Sequence, residues 1–336
     1  MSVDVRRATD DDVEEWNEYV RRSPQGTMCH ELESLRVQAD HAGATLHPLI
    51  GFKGQEPVGV FPVFEIRKRF VTTVFSPPPH LRVPYLGPAL LECASPKRRK
   101  RERRRQRFMD GCFEWIDEHV NPSYGHVRTT TGFDDVRPFT WRGYDANPEY
   151  TYAVDLTRSK DDLLMTFSSD ARSNVRNTDD DAYTVEVGDT EEIRLIYDQV
   201  RRRYESQGIS FGVPLEFVTD LAERAENGHV RPYTLRVDGE FVGGILALEY
   251  GPRTGRWMGG VRTDADVDVP TNDLLDWAIM EDGIDSGLER YDLVGADTRR
   301  INRYKSKFNP GLETYYSLEY GSWGMRTAAS VYDSVK

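Results

Sequence analysis

The side chains with the most pronounced chemical character lie in one run, Lys97-Arg98-Arg99-Lys100-Arg101-Glu102-Arg103-Arg104-Arg105-Gln106-Arg107, nine cations and one acid in eleven positions. Like charges at that density repel one another, and a bound anion relieves the repulsion. The run reads as a contact for the phosphates of RNA, for an anionic lipid surface or for a phosphorylated substrate. The alternative is a solvated helix end facing an acidic protein. A second pattern, the alternating Asp264, Asp266 and Asp268, has the ligand chemistry of a divalent-cation loop. No full ligand loop follows it, so an acidic surface loop is preferred and no metal is expected. The seven His show no ligand spacing, and Cys29, Cys93 and Cys112 form no CxxC pair, which disfavours structural zinc and a disulfide framework. No G-x-S-x-G nucleophile motif is present. His30 stands alone, as a structural residue or the lining of a substrate groove.

The charge around these candidates is unevenly spread. Residues 1–148 hold 22 basic and 21 acidic side chains, and residues 149–336 hold 22 and 35. Only the basic run balances the first half. The chain has 31 Asp and 25 Glu against 36 Arg and 8 Lys, for a net charge of −12. Asp above Glu, with Arg in place of Lys, is the surface chemistry expected of a salt-loving organism, where hydrated acids keep proteins apart under strong screening. At 336 residues, two domains are expected, and 11% aromatic residues are enough to build their cores. No apolar run approaches the ~20 residues of a membrane span, and the polar start is no signal peptide. A cytoplasmic protein is expected, or one peripheral at the inner membrane face.

Periodicity supplies the elements that must carry these residues. In the first half it predicts a strand over 3–7, a helix from Thr9 or Asp10 through 22, and a helix over 29–42 ended by Gly43. A hairpin over 45–53 and 58–67, extended segments at 70–75 and 83–91, a long helix over 96–120 and a strand over 126–130 follow. In the second half, a strand at 184–187, helices over 190–206 and 214–227, and a hairpin over 230–237 and 241–250 turning on Asp238-Gly239 repeat that order. A strand at 256–261, a helix over 271–287, a strand at 291–294, a helical piece at 300–308 and a last strand at 313–320 complete it. Residues 141–150 read as the linker, placing domains at 1–148 and 149–336.

Strand, two helices, three strands, helix, strand, short helix, strand is the order of the GNAT acyltransferase fold. The expected class is therefore α/β with mixed sheets, as two tandem GNAT-like domains. Trp141-Arg142-Gly143-Tyr144, Tyr150-Thr151-Tyr152-Ala153-Val154-Asp155-Leu156 and the helix around Arg172-Ser173-Asn174-Val175-Arg176-Asn177 resemble the domain junction of Fem-type peptidyltransferases and their acetyltransferase-like relatives. Tyr291-Asp292-Leu293-Val294-Gly295 and Tyr304-Lys305-Ser306-Lys307-Phe308-Asn309 are similar to two later motifs of that family. Asn177-Thr178 departs from its "R-x-A" ending, and Asn309 replaces its usual Gly.

The resemblance implies transfer of an acyl or aminoacyl unit to the amine of an envelope, lipid or glycan precursor, with the active site in the second domain. No tightly bound cofactor is implied. The donor would be aminoacyl-tRNA or acyl-CoA, with residues 97–107 meeting tRNA or an anionic membrane surface. Lys305 matches the family's lysine and is the first candidate for polarising the donor carbonyl, with Asp292 or Asp297 as proton acceptor or lysine orienter. Arg172, Arg176, Arg203 and Tyr204 are candidates for phosphate binding, and Tyr304 and Phe308 for packing beside the lysine. GNAT enzymes cradle the acyl-CoA pyrophosphate on a glycine-rich turn at a helix N-terminus. Here residues 259–272 place aspartates at that position, and residues 91–96 lack glycines. A donor held differently is favoured. A plain acetyl-CoA-dependent acetyltransferase and a catalytically silent RNA- or lipid-binding module are the other readings.

Overall fold

The computed structural model describes residues 3–69, 71–94, 97–225, 229–262, 264, 267–296, 298–322 and 324. Contacts divide the chain into two units: residues 1–149 with the chain from Thr314 on, and Tyr150–Glu313. Each is a mixed sheet with helices against it.

In the first unit β1 (Asp4–Arg7), α1 (Val13–Arg22), α2 (Leu32–Ala42), β2 (Thr45–Lys53), β3 (Glu56–Lys68), β4 (Val71–Ser76), β5 (Ala89–Leu90), α3 (Arg98–His119), β6 (Tyr124–Arg128) and α4 (Arg137–Trp141) follow in order. β2 and β3 are buried over Pro48–Ile50 and Val58–Phe64, on both faces, so they read as near-continuous apolar runs rather than alternating ones. Leu49, Val58, Phe61 and Val63 pack against Phe108, Met109, Cys112, Phe113 and Ile116 of α3. α2 stops at Gly43, whose φ of 60° is the left-handed turn a helix C-terminus needs.

β7 (Asp145–Asp155) leads into the second unit. There follow α5 (Lys160–Thr166), α6 (Ser169–Asn177), β8 (Thr184–Val187), α7 (Thr190–Ser206), α8 (Leu215–Arg224), β9 (Val230–Val237), β10 (Glu240–Tyr250), β11 (Arg253–Val261), α9 (Thr271–Asp285), β12 (Arg290–Asp292), α10 (Arg299–Lys305) and β13 (Gly311–Gly321). α9 is buried on nearly every side, with Leu274, Leu275, Ile279 and Met280 in a core shared with Tyr233, Leu235, Ile245 and Tyr291.

The two sheets have one pairing scheme. In the first unit the strands run β1-β2-β3-β4-β6-β13, with only β4–β6 parallel. In the second they run β8-β9-β10-β11-β12-β7, with only β11–β12 parallel. The order expected from the sequence is present in both units. The closing strands are exchanged along the chain, however: the chain's last strand completes the first sheet, and the strand between the domains completes the second. Residues 141–150, read as a linker, are therefore the end of α4 and the start of β7. A polar, proline-containing stretch gave no alternation by which to recognise a strand. The segment 83–91, read as extended, holds the two-residue β5 and an isolated parallel bridge from Leu86 to Thr129.

Candidate active site in the second unit

The strands part where β12 leaves β11. The two pair only over Arg253–Gly255 and Arg290–Asp292, while β11 runs on to Val261. Beyond Asp292 the chain stays with β7, through Leu293 N to Tyr152 O (2.8 Å) and Ala296 N to Tyr150 O (2.7 Å). On its other side β11 carries a bulge, since Arg256 faces Ala247, Met258 faces Leu246, and Trp257 has no counterpart. Bulges bend a strand and re-aim its groups, and they gather beside active sites. Gly259 and Gly260 follow at φ of 135° and 139°. A Cβ on Gly259 would lie 2.2 Å from Gly244 O, so only glycine fits there.

One wall of the parting is a buried polar knot. Asp276 of α9 is fully buried and accepts from Tyr291 Oη (2.6 Å), Tyr304 Oη (2.6 Å) and the Arg256 guanidinium. Burial first, and then the charge of Asp276, hold both tyrosine hydroxyls well above their ordinary pKa. For Arg256 burial favours proton loss, but Asp276 outweighs it and the net direction is upward. The knot is a satisfied ion pair with two tethered phenols. A buried acid inside the apolar helix Leu274-Leu275-Asp276-Trp277 is the sequence signal for it.

Beside the glycines stands a different kind of cation. Arg203 of α7 is half-buried and donates to Gly259 O (3.4 Å) and Val261 O. Among the described residues no carboxylate lies within ion-pairing distance of it. Burial, followed by the charges of Arg256 and the exposed Arg300, lowers its pKa. Its guanidinium and Asn272 Oδ1 converge at Gly260, about 3 Å from where a Cβ would sit. Gln199, one turn earlier, bridges the two strands by accepting from Gly244 N (3.0 Å) and donating to Gly260 O. The pair Gly243-Gly244 lies in a strand with a register shift beside it and a close approach of Ile196.

Lys305 is 7% exposed and donates from Nζ to Val294 O (2.6 Å) and Gly295 O (2.8 Å). Both residues have positive φ, 50° and 84°, and for a β-branched valine that is strained. Asp292 holds the same turn from the other side. It accepts from Thr151 Oγ1 (2.6 Å), Val294 N (2.8 Å) and Arg290 (3.3 Å), while Gly295 N donates to Thr151 Oγ1 (3.0 Å). The geometry thus gives Asp292 the work of fixing a turn rather than an open position as a base. Asp297 lies outside the described residues.

The remaining candidates fall in several places. Tyr304 is in the knot, and Tyr204, next to Arg203 in the chain, packs tilted against Phe211 with ring centroids 5.1 Å apart. Phe308 is a fully buried core residue between Phe167 and Tyr304 (5.2 and 5.5 Å), so it does not touch a substrate. Arg172 and Arg176 lie on α6 about Met165, bonded to its carbonyl (3.3 Å) and its sulfur (3.4 Å). In the first unit His30 is fully buried and its ring is held by Thr27 Oγ1 (2.9 Å) and Gly87 O (3.2 Å), which makes it structural and no groove lining. Arg104 is 4% exposed, paired with Glu56 and bonded to Pro57 O, so one member of the basic run is a core anchor. Asp264 pairs with Arg262 (2.7 Å), and Asp266 lies outside the described residues. Among the described residues no three His, Cys, Asp or Glu side chains are grouped to hold a metal.

The helix N-terminus at which an acyl-CoA pyrophosphate would rest is already met by the chain's own charge. Asp273, in the first turn of α9, is buried and accepts from Lys307 Nζ (2.8 Å) and Asn174 Nδ2 (2.6 Å). An acid there is favourable to the positive end of the helix and unfavourable to a second anion, although no side chain hydrogen-bonds to the N–H groups as a cap.

Residues 167–306, within the second unit, match the family model described as an acetyltransferase (GNAT) domain. The fold is that of tandem GNAT proteins. The crystal structure of FemX superposes with a TM-score of 0.73 at 12% identity, over 93% of this chain and 96% of that one. The C-terminal domain of a putative lysylphosphatidylglycerol synthetase from Agrobacterium fabrum gives 0.58 at 16% identity, over 97% and 96%. A tandem GNAT protein from the clavulanic acid biosynthesis pathway gives 0.54 at 12%, over 95% and 99%. No curated protein matches by sequence. At these identities the structural likeness is one of fold. No helix of the described residues is long and apolar enough to cross a membrane.

Proposed function

We propose that the chain is an N-acyltransferase of the Fem-like kind. Its reaction takes place where β11 and β12 part, with an acyl or aminoacyl group passing from an activated donor to the amine of an envelope, lipid or glycan precursor. The observation that carries this reading is Arg203, a half-buried guanidinium with no carboxylate partner among the described residues, beside a bulged strand and a glycine pair. A substrate anion completes such a site, and a charged hydrogen bond to it contributes about 1.5–3 kcal/mol. The exposed Arg300 and Asn272 lie on the same approach.

The chemistry asks little of the side chains. The neutral amine attacks the donor carbonyl, a C–N bond forms, and the C–O or C–S bond to the carrier breaks. The amine's proton ends on the leaving oxygen or sulfur. Positioning supplies much of the rate for an already activated ester. Arg203 anchors a phosphate, the Asp276 knot keeps Tyr304 and Arg256 from moving, and the β11 backbone at the bulge lies where a developing oxyanion needs donors. Lys305 acts as a positioning residue through the turn at 294–295.

The buried Asp273 supports a donor other than one held by its pyrophosphate, and so favours aminoacyl-tRNA. The family description favours a second reading, transfer from acetyl-CoA. A mass-shift assay of an amine panel with charged tRNA or acetyl-CoA as donor separates them. Arg203→Ala is expected to raise KM for the anionic substrate by roughly 10- to 100-fold with kcat less affected. Unchanged kinetics in that variant, or turnover with neither donor, would sink the reading.

A further inference from the structure

The helix α3 is charged against its own dipole. Its first turn carries Arg98, Arg99 and Lys100 with no acid, and its later turns carry Asp110, Glu114, Asp117 and Glu118. Cations are favoured at a helix C-terminus and anions at the N-terminus, each by a few tenths of a kcal/mol to about 1. The arrangement here opposes that preference at both ends. Arg142 pairs with Asp117 (3.1 Å) and Glu114 (3.9 Å) in the later turns, but among the described residues Arg99 and Lys100 have no ion-pair partner in the first.

The cations also share a side. Arg99, Arg103 and Arg107 recur at four-residue spacing, with Lys100 next to them, and all four are exposed. Arg104, one turn on from Lys100 at the edge of that side, is locked to Glu56 and Pro57 O, which fixes the rotation of the helix. Arg98 pairs with Glu102 (3.3 Å). Among the described residues Lys97, Arg99, Lys100 and Arg103 have no ion-pair partner, in a chain of net charge −12. The acids nearest to them, Glu102 and Glu56, are taken up by Arg98, Arg137 and Arg104.

An aromatic residue completes the surface. Trp141, at the end of α4, is 63% exposed, with the Arg137 guanidinium 5.9 Å from its ring. Arg137 in turn pairs with Glu102 of α3 (3.3 Å), which brings the indole beside the cationic side. Tryptophan is the residue of the membrane–water interface, and a helix-borne cluster of four to eight Lys and Arg is the mark of attraction to anionic headgroups. A nucleic acid track would instead call for a groove with several stacking rings. Here the cations lie on the outer side of a helix with one indole.

We propose that the first three turns of α3, with Trp141, form a docking surface for an anionic lipid bilayer. It works through Lys97, Arg99, Lys100, Arg103 and Arg107, with the indole at headgroup depth. The acids from Asp110 onward are repelled by the same surface and tilt the helix so that only its N-terminal half touches. The inference goes beyond the transferase reading and needs no turnover to be tested.

The full chain is sedimented with vesicles of phosphatidylcholine alone or with 30% phosphatidylglycerol, at 0.1 and 1 M KCl. Binding is expected only to the anionic vesicles and only at the lower salt, because screening shortens from about 10 to 3 Å. Each cation contributes about fivefold to partitioning, so the triple variant Arg99→Gln, Lys100→Gln, Arg103→Gln is expected to bind roughly 100-fold more weakly. Quenching of tryptophan fluorescence by brominated lipid is expected in the parent and lost in Trp141→Phe. The urea midpoint of each variant reports that folding is intact. Anionic vesicles that fail to bind the parent chain, or that bind the triple variant equally, overturn the proposal. So does binding of uncharged tRNA, lost in the triple variant, with no binding to vesicles.

Discussion

Replacing Lys305 with methionine separates two tasks this residue could have. Its ammonium makes hydrogen bonds of 2.6 and 2.8 Å to Val294 O and Gly295 O, in a side chain 7% exposed. Hydrogen bonds from a charged donor contribute about 1.5–3 kcal/mol each, so the pair contributes about 3–6 kcal/mol, less what the methionine stem regains by packing. The turn it holds is strained at Val294, where a β-branched residue at φ 50° costs about 1–3 kcal/mol. Without the lysine the turn is free to relax. Lys305→Met is therefore expected to lower the stability of the second unit by at least 2 kcal/mol, read as a shifted urea midpoint with unchanged slope. Val294→Gly removes the strain and should recover about 1 kcal/mol in that background, because the two residues are coupled through one carbonyl. Loss of transfer in Lys305→Met, with an unmoved urea midpoint and no effect of Val294→Gly, would refute the turn-holding role. The lysine would then act on the reacting carbonyl itself.

Three further perturbations test other parts of the structure. Asp276→Ala leaves the Arg256 charge buried and unpaired and should destabilise by about 3–5 kcal/mol by denaturation, while adding Arg256→Met should return much of that loss. Gly259→Ala puts a methyl group 2.2 Å from Gly244 O at a φ of 135°, and a loss of roughly 3 kcal/mol or more is expected in the same assay. His126 is held by burial, and secondarily by Arg128, at a pKa of about 4. Since the unfolded chain binds its proton first, stability should fall as pH drops from about 6.5 toward 4. The loss is on the order of 3 kcal/mol, and His126→Gln should remove it from a pH series of melting curves.

The repeated order of elements was legible because hairpins and amphipathic helices write their period locally. The hairpin at Asp238-Gly239 and the strand at 45–53 needed no tertiary information. β7 was not legible, because its start, Asp145-Ala146-Asn147-Pro148-Glu149, is polar and is ordered by pairing with distant strands. Nor was the exchange of closing strands, which leaves no local trace. The family-like motifs fall on the turn after β12 and on the helix of Tyr304 and Lys305. They did not point to the burial that turns Asp292 and Lys305 inward. Asp276 and Arg256 are 20 residues apart in sequence and meet only when α9 crosses β11. Arg203 was recognisable as a cation but not as one without a partner, since that is a property of its surroundings.

The exchanged strands also order events during synthesis. All the strands of the second sheet, β7 to β12, have been made once residue 292 is made. The first sheet, although its chain emerges earlier, waits for residues 314–321 to cover the edge of β6, whose partners are Ser317–Gly321. Until then β6 presents an open ladder, the template on which unfinished chains pair with one another. A chain cut after Glu313 would therefore hold all of the second unit and a first one with the edge of β6 uncovered. A premature stop anywhere before residue 314 should yield aggregates rather than a shorter soluble protein.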